Sequence, residues 1–411
     1  MKILHITPSY KPAYIYGGPI QSVGKLCESL CENQEQVAGT KEQGAKSKEQ
    51  GVKIQDTIEV FTTTANGNKE LKIETGKQQI VDGVPVTYFK RWTKDHSHFS
   101  PGLLIHLRSE ILLCAQDHNV MVHIHAWWNL VSVLSCLIAK WYHVPVVLSP
   151  RGMLTAYTQT NRNSIAKKII HRSIGKRLLK YCHIHATSDQ EQADILEIVQ
   201  PKSITVIPNL VNLAEDRERK AKSEVNDFFK LIFLSRIEEK KGLELMFDAL
   251  TTVEIPWALT IAGSGEESYL KSLKQKAESL KIDDRINWVG QVSNEDKFEI
   301  LANHDLLVLT SRNENFANVV IESLSVGTAV LISNKVGLAR YVFSNRLGWI
   351  TDLNSNTLKE IMNIAYENHA ERMWIRKNGP GLIGDHYNPQ FLTKRYLTLY
   401  QKVVSDGNGG K

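Results

Sequence analysis

Residues 306–327 read LLVLTSRNENFANVVIESLSVG, a strand, loop and helix pattern of the kind that recurs along the chain. The first four residues form an apolar run typical of a buried strand, and the polar loop leads into a second apolar segment that ends before Gly327. The pattern predicts a helix whose first amides lie near residues 316–319. The first amides of a helix are unpaired and the helix dipole is positive there, so the N-terminus of this helix is a candidate binding site for a phosphate or a polarised hydroxyl.

Two carboxylates flank this candidate binding site. Glu314 lies in the loop, and Glu322 lies about two turns along the helix at ~1.5 Å per residue, so the two are too far apart to share one proton. Carboxylates bind vicinal hydroxyls well, as when an acid grips a ribose in dinucleotide folds. The pattern therefore predicts a ligand that carries phosphate between two polyols, which describes a nucleotide sugar.

The spacing of Glu314 and Glu322 resembles the E-x7-E signature of retaining GT-B glycosyltransferases of the GT4 type, and the chain resembles that family over nearly its whole length. The resemblance implies an α/β fold of two Rossmann-like domains with parallel sheets facing a cleft, and a C-terminal helix that crosses back to the first domain. It also implies a hexosyltransferase that uses a UDP- or GDP-linked sugar and retains the configuration at the anomeric carbon.

Composition sets broad limits on the class of protein. The chain has 411 residues, of which 42% are apolar and 23% charged, so two soluble globular domains are expected. Met1 leads almost directly into the strand pattern of residues 3–6, and no apolar run approaches ~20 residues. We therefore expect a cytoplasmic protein without a signal peptide or a membrane span. The five cysteines lack a C-x-x-C pattern and are interpreted as buried thiols.

Strand and helix patterns alternate along the whole chain, which predicts α/β domains. We expect an acceptor-side domain over residues 1–207, a nucleotide-sugar-binding domain over residues 208–385, and a crossing helix with a frayed tail over residues 386–411. Residues 33–55 are rich in Gln, Glu, Lys and Gly and lack apolar periodicity. Such a composition predicts a solvated, flexible insertion.

Loops after strands of the first domain contain the next candidates. For Gly17 and Gly18 two interpretations are open: an ordinary glycine turn, or a close approach of the backbone to a ligand. His125 ends a strand, and in the family the second histidine of a similar H-x-H lies against the donor sugar. Arg151 belongs to a P-R-G-M loop, which in the family lies near the sugar and the acceptor. Arg151 either binds phosphate or pairs with a backbone carbonyl.

Arg236 and Lys241 follow a strand pattern at residues 231–235 and match the R-x4-K-G motif of the family. The resemblance implies that both hold the donor diphosphate. A diphosphate gains negative charge as the sugar departs, so fixed cations nearby stabilise the transition state more than the ground state. The alternative is ordinary surface charge.

The resemblance implies that Glu314 and the amides of residues 316–318 hold the sugar and that Glu322 holds the ribose. The catalytic candidates are His125, Arg236, Lys241 and Glu314. The candidate ligands of the nucleotide sugar are Gly17, Gly18, Arg151, Gly263, Gly265, Glu266, Val289, Asn315, Phe316, Ala317, Asn318, Val319 and Glu322. The G-S-G-E turn lacks the third glycine of a dinucleotide fingerprint, so NAD is not expected. The resemblance also implies that no divalent metal is used, since cations and helix amides replace it in such enzymes.

A basic segment lies in the first domain, because the sequence has no acidic residue between Asp117 and Asp189. Residues 164–181 are predicted to form a basic helix with two open interpretations. One is a solvated face, and the other is peripheral contact with anionic lipid at the inner face of the membrane through residues 162–180, at ~1 kcal/mol per cation. Nucleic acid is not expected as a partner, because no aromatic residues interleave with the charges.

Two rival functions share the predicted fold. A nucleotide-sugar epimerase or hydrolase would convert the donor without an acceptor, and a catalytically silent sensor would bind UDP without turnover. The presence of Arg236, Lys241, Glu314 and Glu322 favours an active enzyme. The resemblance implies polysaccharide or glycolipid biosynthesis with a sugar or a polyprenyl-linked acceptor.

Overall fold

A computed structural model describes residues 1–43, 57–114, 120–155, 174–215 and 228–408 of the chain. These fall into two compact units, one of Met1–Leu210 with Pro389–Lys411 and one of Val211–Asn388. The sequence pattern predicts the corresponding boundaries after residues 207 and 385, and these bounds of the domains stay a prediction.

The first unit contains a sheet of eight strands in the order β10-β9-β8-β7-β1-β2-β6-β5, with a separate small hairpin, β3-β4. The strands are β1 (Lys2–Ile6), β2 (Thr57–Thr63), β3 (Ala65–Asn66), β4 (Lys69–Glu70), β5 (Gln78–Val81), β6 (Val84–Phe89), β7 (Val120–His125), β8 (Val146–Ser149), β9 (His183–Ala186) and β10 (Ser203–Val206). All pairings in the sheet are parallel except that of β5 with β6. Parallel strands need covered faces, which explains why β7, β8 and β9 are buried at every residue.

Helices cover this sheet and bury its apolar side chains. The described helices of the first unit are α1 (Gly18–Gln43), α2 (Pro101–Cys114), α3 (Leu130–Trp141), α4 (Lys176–Tyr181), α5 (Asp189–Ile198) and, from the end of the chain, Pro389–Asn408. On α2 the buried residues Leu103, Leu107 and Ile111 recur at helical spacing and join one core with Trp127. The central position of β1 between β7 and β2 makes the carboxyl ends of β1 and β7 a topological switch point.

The prediction of a flexible insertion over residues 33–55 is wrong for residues 33–43, because α1 continues to Gln43. The segment lacks an apolar stripe, but Gln, Glu, Lys and Ala are strong helix formers and extend a helix that packing has already nucleated. Residues 44–56 lie outside the described part of the chain. The predicted basic helix over residues 164–181 is likewise described only from residue 174 onward.

The second unit contains a sheet of six parallel strands in the order β13-β12-β11-β14-β15-β16. The strands are β11 (Phe229–Leu234), β12 (Trp257–Ala262), β13 (Ile286–Gly290), β14 (Leu306–Leu309), β15 (Ala329–Ser333) and β16 (Gly348–Thr351). The helices are α6 (Leu243–Leu250), α7 (Glu267–Ser279), α8 (Asp296–Ala302), α9 (Asn318–Ser325), α10 (Ala339–Ser344), α11 (Ser355–Glu367) and α12 (His369–His386). Two parallel-sheet α/β units confirm the predicted fold class.

The end of the chain differs in detail from the prediction. Before the crossing helix, α11 and α12 are separate, and the side chain of Asn368 caps α12 by accepting a hydrogen bond from the Glu371 amide. The last helix, α13 (Pro389–Asn408), belongs to the first unit, in agreement with the predicted crossing helix. It runs past Asp406, where fraying was expected. Within the described ranges, no helix combines the length and the apolar character that a membrane crossing requires.

Candidate active site

Lys241 lies in the loop between β11 and α6, at the end of a 3₁₀ turn over Glu239–Lys241. The following Gly242 adopts φ 73°, and a Cβ there would lie 2.2 Å from the backbone oxygen of Thr310, directly after β14. Glycine is therefore required, since only it permits both the conformation and the approach. Because β11 and β14 are neighbours in the sheet, this contact joins their two carboxyl-terminal loops at the second unit's switch point.

The Lys241 ammonium forms an ion pair with the Glu314 carboxylate in the loop after β14. The Lys241 side chain is 7% exposed. The Glu314 backbone is fixed at both ends, since its amide donates to Lys335 and its carbonyl accepts from Gly337. Burial alone would raise the pKa of Glu314, but Lys241, Lys240 and Arg236 outweigh it and hold the pKa below its ordinary value. Glu314 is therefore ionised at neutral pH.

Arg236 and Lys240 share one carboxylate. Glu238 accepts from Arg236 Nη1 at 2.6 Å and lies 3.2 Å from Lys240 Nζ. Burial alone would raise the pKa of Glu238, yet Arg236 and Lys240 lower it overall. Together with Lys241 and Glu314, three cations face two carboxylates, which leaves one unit of positive charge for an anionic ligand.

The helix α9 begins beside these groups, as the sequence predicted. Phe316 is buried against the ring of Tyr387, with 6.1 Å between the ring centroids. Ala317 precedes the helix in the left-handed conformation, and its carbonyl accepts from Val320. Asn318 and Val319 form the first turn, whose amides have no acceptor within the helix. Glu314, the partner of Lys241, therefore lies four residues before this turn along the chain.

Ala317 has φ 66° and ψ 75°, which costs a residue with a Cβ roughly 1 kcal/mol. We predict that Ala317→Gly raises the free energy of unfolding of the second unit by about 0.5–1 kcal/mol, measured by chemical denaturation. Ala302→Gly in α8, where the backbone is helical, is the control and should lower it by about 1 kcal/mol. Equal losses in the two variants would contradict the strain assigned to Ala317.

Glu322 lies inside α9 and is paired with Lys297, which was not among the residues predicted for the site. Lys297 Nζ in α8 donates to Glu322 Oε1 at 2.7 Å, and the two side chains are 6% and 5% exposed. The sequence does contain a signal for the burial of Lys297. It lies four residues before the apolar Leu301, and residues four apart share one face of a helix. A buried lysine demands a partner, but only the fold identifies which carboxylate supplies it.

The glycine turn after β12 approaches the chain's own backbone. A Cβ on Gly263 would lie 1.9 Å from the Ser235 oxygen, and one on Gly265 would lie 2.2 Å from the Ile237 oxygen. These glycines are thus required by the loop after β11, whatever they do for a ligand. Glu266 is exposed and accepts from Ser268 Oγ at 2.9 Å, and Val289 lies partly exposed on β13. The strands β12 and β13 lie on the opposite side of β11 from β14. The glycine turn, Glu266 and Val289 therefore lie at the same carboxyl end of the sheet as Lys241 and Glu314.

In the first unit, Gly17 and Gly18 lie at the start of α1, where Gly17 adopts φ 71°. The candidate His125 ends β7 and is buried. Its Nε2 lies 3.0 Å from His5 Nδ1, and its Nδ1 lies 3.3 Å from Arg151 Nη2. A guanidinium only donates, so His125 accepts at Nδ1 and donates from Nε2 to His5. Both ring nitrogens of His125 therefore have partners within the unit.

Arg151 bonds to side chains, and the expected backbone carbonyl is not among its hydrogen-bond partners in the described residues. Its Nη1 donates to Ser22 Oγ at 2.9 Å and to Asn209 Oδ1 at 3.0 Å. Burial lowers the pKa of Arg151, and a guanidinium nevertheless stays protonated. His5, His123 and His125 lie close enough to suggest a metal cluster. The adjacent guanidinium and the existing bonds at both ring nitrogens of His123 and of His125 do not fit a divalent cation.

A second chain of hydrogen bonds runs across the carboxyl-terminal half of this sheet. His185 Nε2 donates to the Ile207 oxygen at 2.8 Å, so His185 Nδ1 accepts from Ser149 Oγ at 2.7 Å. Ser149 in turn accepts from His123 Nε2, and His123 Nδ1 accepts from the hydroxyl of Tyr400 in α13. Neutral imidazoles satisfy every bond. Burial accordingly lowers the pKa of His5 and of His185 to about 3 and lowers that of His123 and His125 as well.

Two family models match consecutive parts of the chain. The model described as Glycosyltransferase Family 4 matches residues 54–215, and the one described as Glycosyl transferases group 1 matches residues 214–381. The second match contains Arg236, Lys241, Glu314 and Glu322. The two matches together span most of both compact units.

Individual proteins resemble the chain at lower identity. The phosphatidylinositol N-acetylglucosaminyltransferase gpi3 subunit of Schizosaccharomyces pombe is 28% identical over 53% of this chain, which spans only 48% of that relative. The N,N'-diacetylbacillosaminyl-diphospho-undecaprenol alpha-1,3-N-acetylgalactosaminyltransferase of Campylobacter jejuni is 22% identical over 67% of this chain and 75% of its own length. The crystal structure of Anabaena HepE in complex with UDP covers 98% of this chain and 100% of its own, with a TM-score of 0.69 and 16% identity. That likeness establishes the fold.

Proposed function

Since the chain belongs to the GT4-type, group 1 family of GT-B glycosyltransferases, we propose that it transfers a hexose from a nucleotide diphosphate sugar to a sugar or lipid-linked acceptor with retention at the anomeric carbon. The donor is a UDP- or GDP-sugar, and polysaccharide or glycolipid biosynthesis is the setting. HepE binds UDP and the Campylobacter relative is named for an undecaprenol-linked substrate, which supports this donor and acceptor class.

One observation carries the proposal: Lys241 and Arg236 lie with the start of α9 at the carboxyl ends of adjacent strands, where α/β sheets bind their ligands. An ammonium has three donors, so pairing with Glu314 leaves Lys241 able to bind phosphate oxygens. These cations and the first amides of α9 oppose the charge that grows on the leaving diphosphate. They supply what a divalent metal supplies elsewhere, and we propose that the reaction needs none.

In the proposed reaction the bond from the anomeric carbon to the phosphate oxygen breaks as the acceptor oxygen attacks from the same face. The departing phosphate oxygen takes the acceptor's proton. We assign the sugar to Glu314 and the amides of residues 316–318, and the ribose to Glu322. Gly263, Gly265, Glu266 and Val289 line the nucleotide side of the sheet edge in this proposal. His125 reaches a sugar hydroxyl only after Arg151 releases its Nδ1.

A donor panel tests the proposal directly. The protein is incubated with UDP- and GDP-sugars, with and without simple sugar and polyprenyl-linked acceptors, and nucleotide release is followed. Release that depends on the acceptor supports a transferase. Conversion without an acceptor indicates an epimerase or hydrolase, and UDP binding without turnover indicates a sensor, and either result contradicts the proposal.

We further propose that the first unit contacts anionic membrane from the cytoplasmic side, through residues 162–180. Of this segment the described part is α4 and the turn before it, where Lys176, Arg177 and Lys180 are exposed. The neighbouring α3 ends at Trp141, which is 76% exposed, and Lys140 lies 5.8 Å from the centre of the Tyr181 ring in α4. An exposed tryptophan beside cations is typical of a surface that lies at a lipid headgroup layer.

Trp141→Ser should weaken binding to vesicles that contain phosphatidylglycerol by about five- to tenfold, since it removes one aromatic side chain from the interface. Co-sedimentation measures the bound fraction, and vesicles of phosphatidylcholine alone should bind weakly. Trp92→Ser is the matched control, because Trp92 is 75% exposed on a loop remote from α4 in sequence. Equal losses for both variants, or binding that ignores lipid charge, would refute the membrane surface.

A further inference from the structure

The helix α8 places a lysine where an apolar side chain would be expected. Lys297 belongs to the buried face of α8 together with Phe298, Leu301 and Ala302. Its ammonium lies 2.7 Å from Glu322 Oε1, 3.5 Å from Asn294 Oδ1 and 5.0 Å from the centre of the Phe298 ring. Both members of the ion pair are more than nine-tenths buried.

Such a pair adds little to the stability of a fold. Two charges removed from water lose solvation that their attraction roughly repays, so an apolar pair of similar volume is often equally stable. Removing only one partner is costly, because the other charge stays buried without compensation. The pair therefore points to a need for an ionised Glu322.

We propose that Lys297 is a positioning residue that keeps Glu322 ionised and oriented for the ribose diol, and thereby sets the preference for a ribonucleotide over a 2′-deoxyribonucleotide. This inference rests on the proposed function. The ammonium of Lys297 donates to Oε1 of Glu322. A carboxylate has two oxygens with about four acceptor positions in total. The second oxygen of Glu322 is thus held ready to accept from a hydroxyl, and a charged acceptor makes the stronger hydrogen bond.

Without the ammonium, the buried carboxylate would take up a proton, because an unpaired buried charge neutralises. A protonated carboxyl group is a weaker acceptor. The affinity for a ribonucleotide would then rise with pH as Glu322 ionises again. A purely structural role for Lys297 would lower stability without creating that dependence on pH.

Calorimetric binding of UDP and 2′-deoxy-UDP between pH 6 and 8.5 tests the inference. The unmodified protein should prefer UDP by about tenfold at every pH, a typical effect of one hydrogen bond to a charged group. Lys297→Met should lose this preference near pH 6 and regain it toward pH 8.5, with 2′-deoxy-UDP little affected. Lys297→Arg should restore the preference across the range.

The control is Lys276→Met, which removes a lysine of α7 that pairs with Asp248 at 2.7 Å in a more exposed place. It should leave the preference unchanged. Should Lys297→Met fail to fold, Lys297→Gln keeps a hydrogen-bond donor without the charge and should show the same dependence on pH. A preference that stays tenfold and independent of pH in the neutral variants overturns the inference while the proposed function stands. Failure of the unmodified protein to bind either UDP or GDP overturns both.

Discussion

Lys241→Ala is expected to lower kcat by about 10²–10³-fold, the usual loss when one fixed donor to a developing negative charge is removed. The buried ammonium of Lys241 is aimed by Gly242 and held by Glu314, so it costs no reorganisation when the sugar departs. It meets charge that is larger in the transition state than in the bound donor. For that reason kcat should fall more than the KM for the acceptor rises.

The neighbouring Lys240→Ala provides the control. Lys240 has the same charge, but it is more exposed and pairs with Glu238. Its loss should change kcat by less than tenfold, as expected for a cation that acts through solvent. Lys241→Ala also leaves Glu314 without its cation, so a folding control is needed. Thermal melting establishes whether both variants are folded. An unchanged kcat in folded Lys241→Ala would overturn the role assigned to this residue.

Acid should destabilise the first unit steeply, beginning near pH 6.5. The pKa of His5 and that of His185 are lowered to about 3 by burial, whereas both side chains titrate near 6.5 in the unfolded chain. Below pH 6.5 the unfolded chain therefore binds protons that the folded unit does not. The stability is fully present above pH 6.5 and is lost as the pH falls toward 3, by about 1.4 kcal/mol per pH unit for each such histidine.

Chemical denaturation at several values between pH 7.5 and 4.5 measures this slope. His5→Asn retains an acceptor for the Nε2 proton of His125 and removes one titrating group, so the slope should decrease by about 1.4 kcal/mol per pH unit. His96→Gln, at an exposed position, should leave it unchanged. A slope that is the same in all three proteins would contradict the neutral state assigned to the buried histidines.

The strands of the second unit could be predicted closely because each is a short apolar run between polar loops. For β14 the predicted and observed bounds coincide at Leu306–Leu309. The hairpin β3-β4 and the edge strands β5 and β16 were missed. They are short and partly exposed, so pairing with a neighbour defines them more than their own hydrophobic pattern.

The candidate site could be predicted for residues that directly follow a strand, because their places are set by the order of the strands. Arg236, Lys241 and Glu314 each follow a strand, and the sheet order places those strands side by side. The partner of Lys297 was not predictable, since Glu322 is brought to it by packing of α8 against α9. The glycines at 263 and 265 show a further limit of sequence, because a pattern that permits close approach does not state whether a ligand or the chain's own backbone approaches.

The central claim is that Lys241, Arg236 and the first amides of α9 hold the diphosphate of the donor. A crystal structure of the protein with UDP tests it most directly. We expect Lys241 Nζ and the Arg236 guanidinium within about 2.7–3.2 Å of diphosphate oxygens, and Glu322 on the ribose hydroxyls. UDP bound at another place, or bound here with both cations directed into solvent, would contradict the claim.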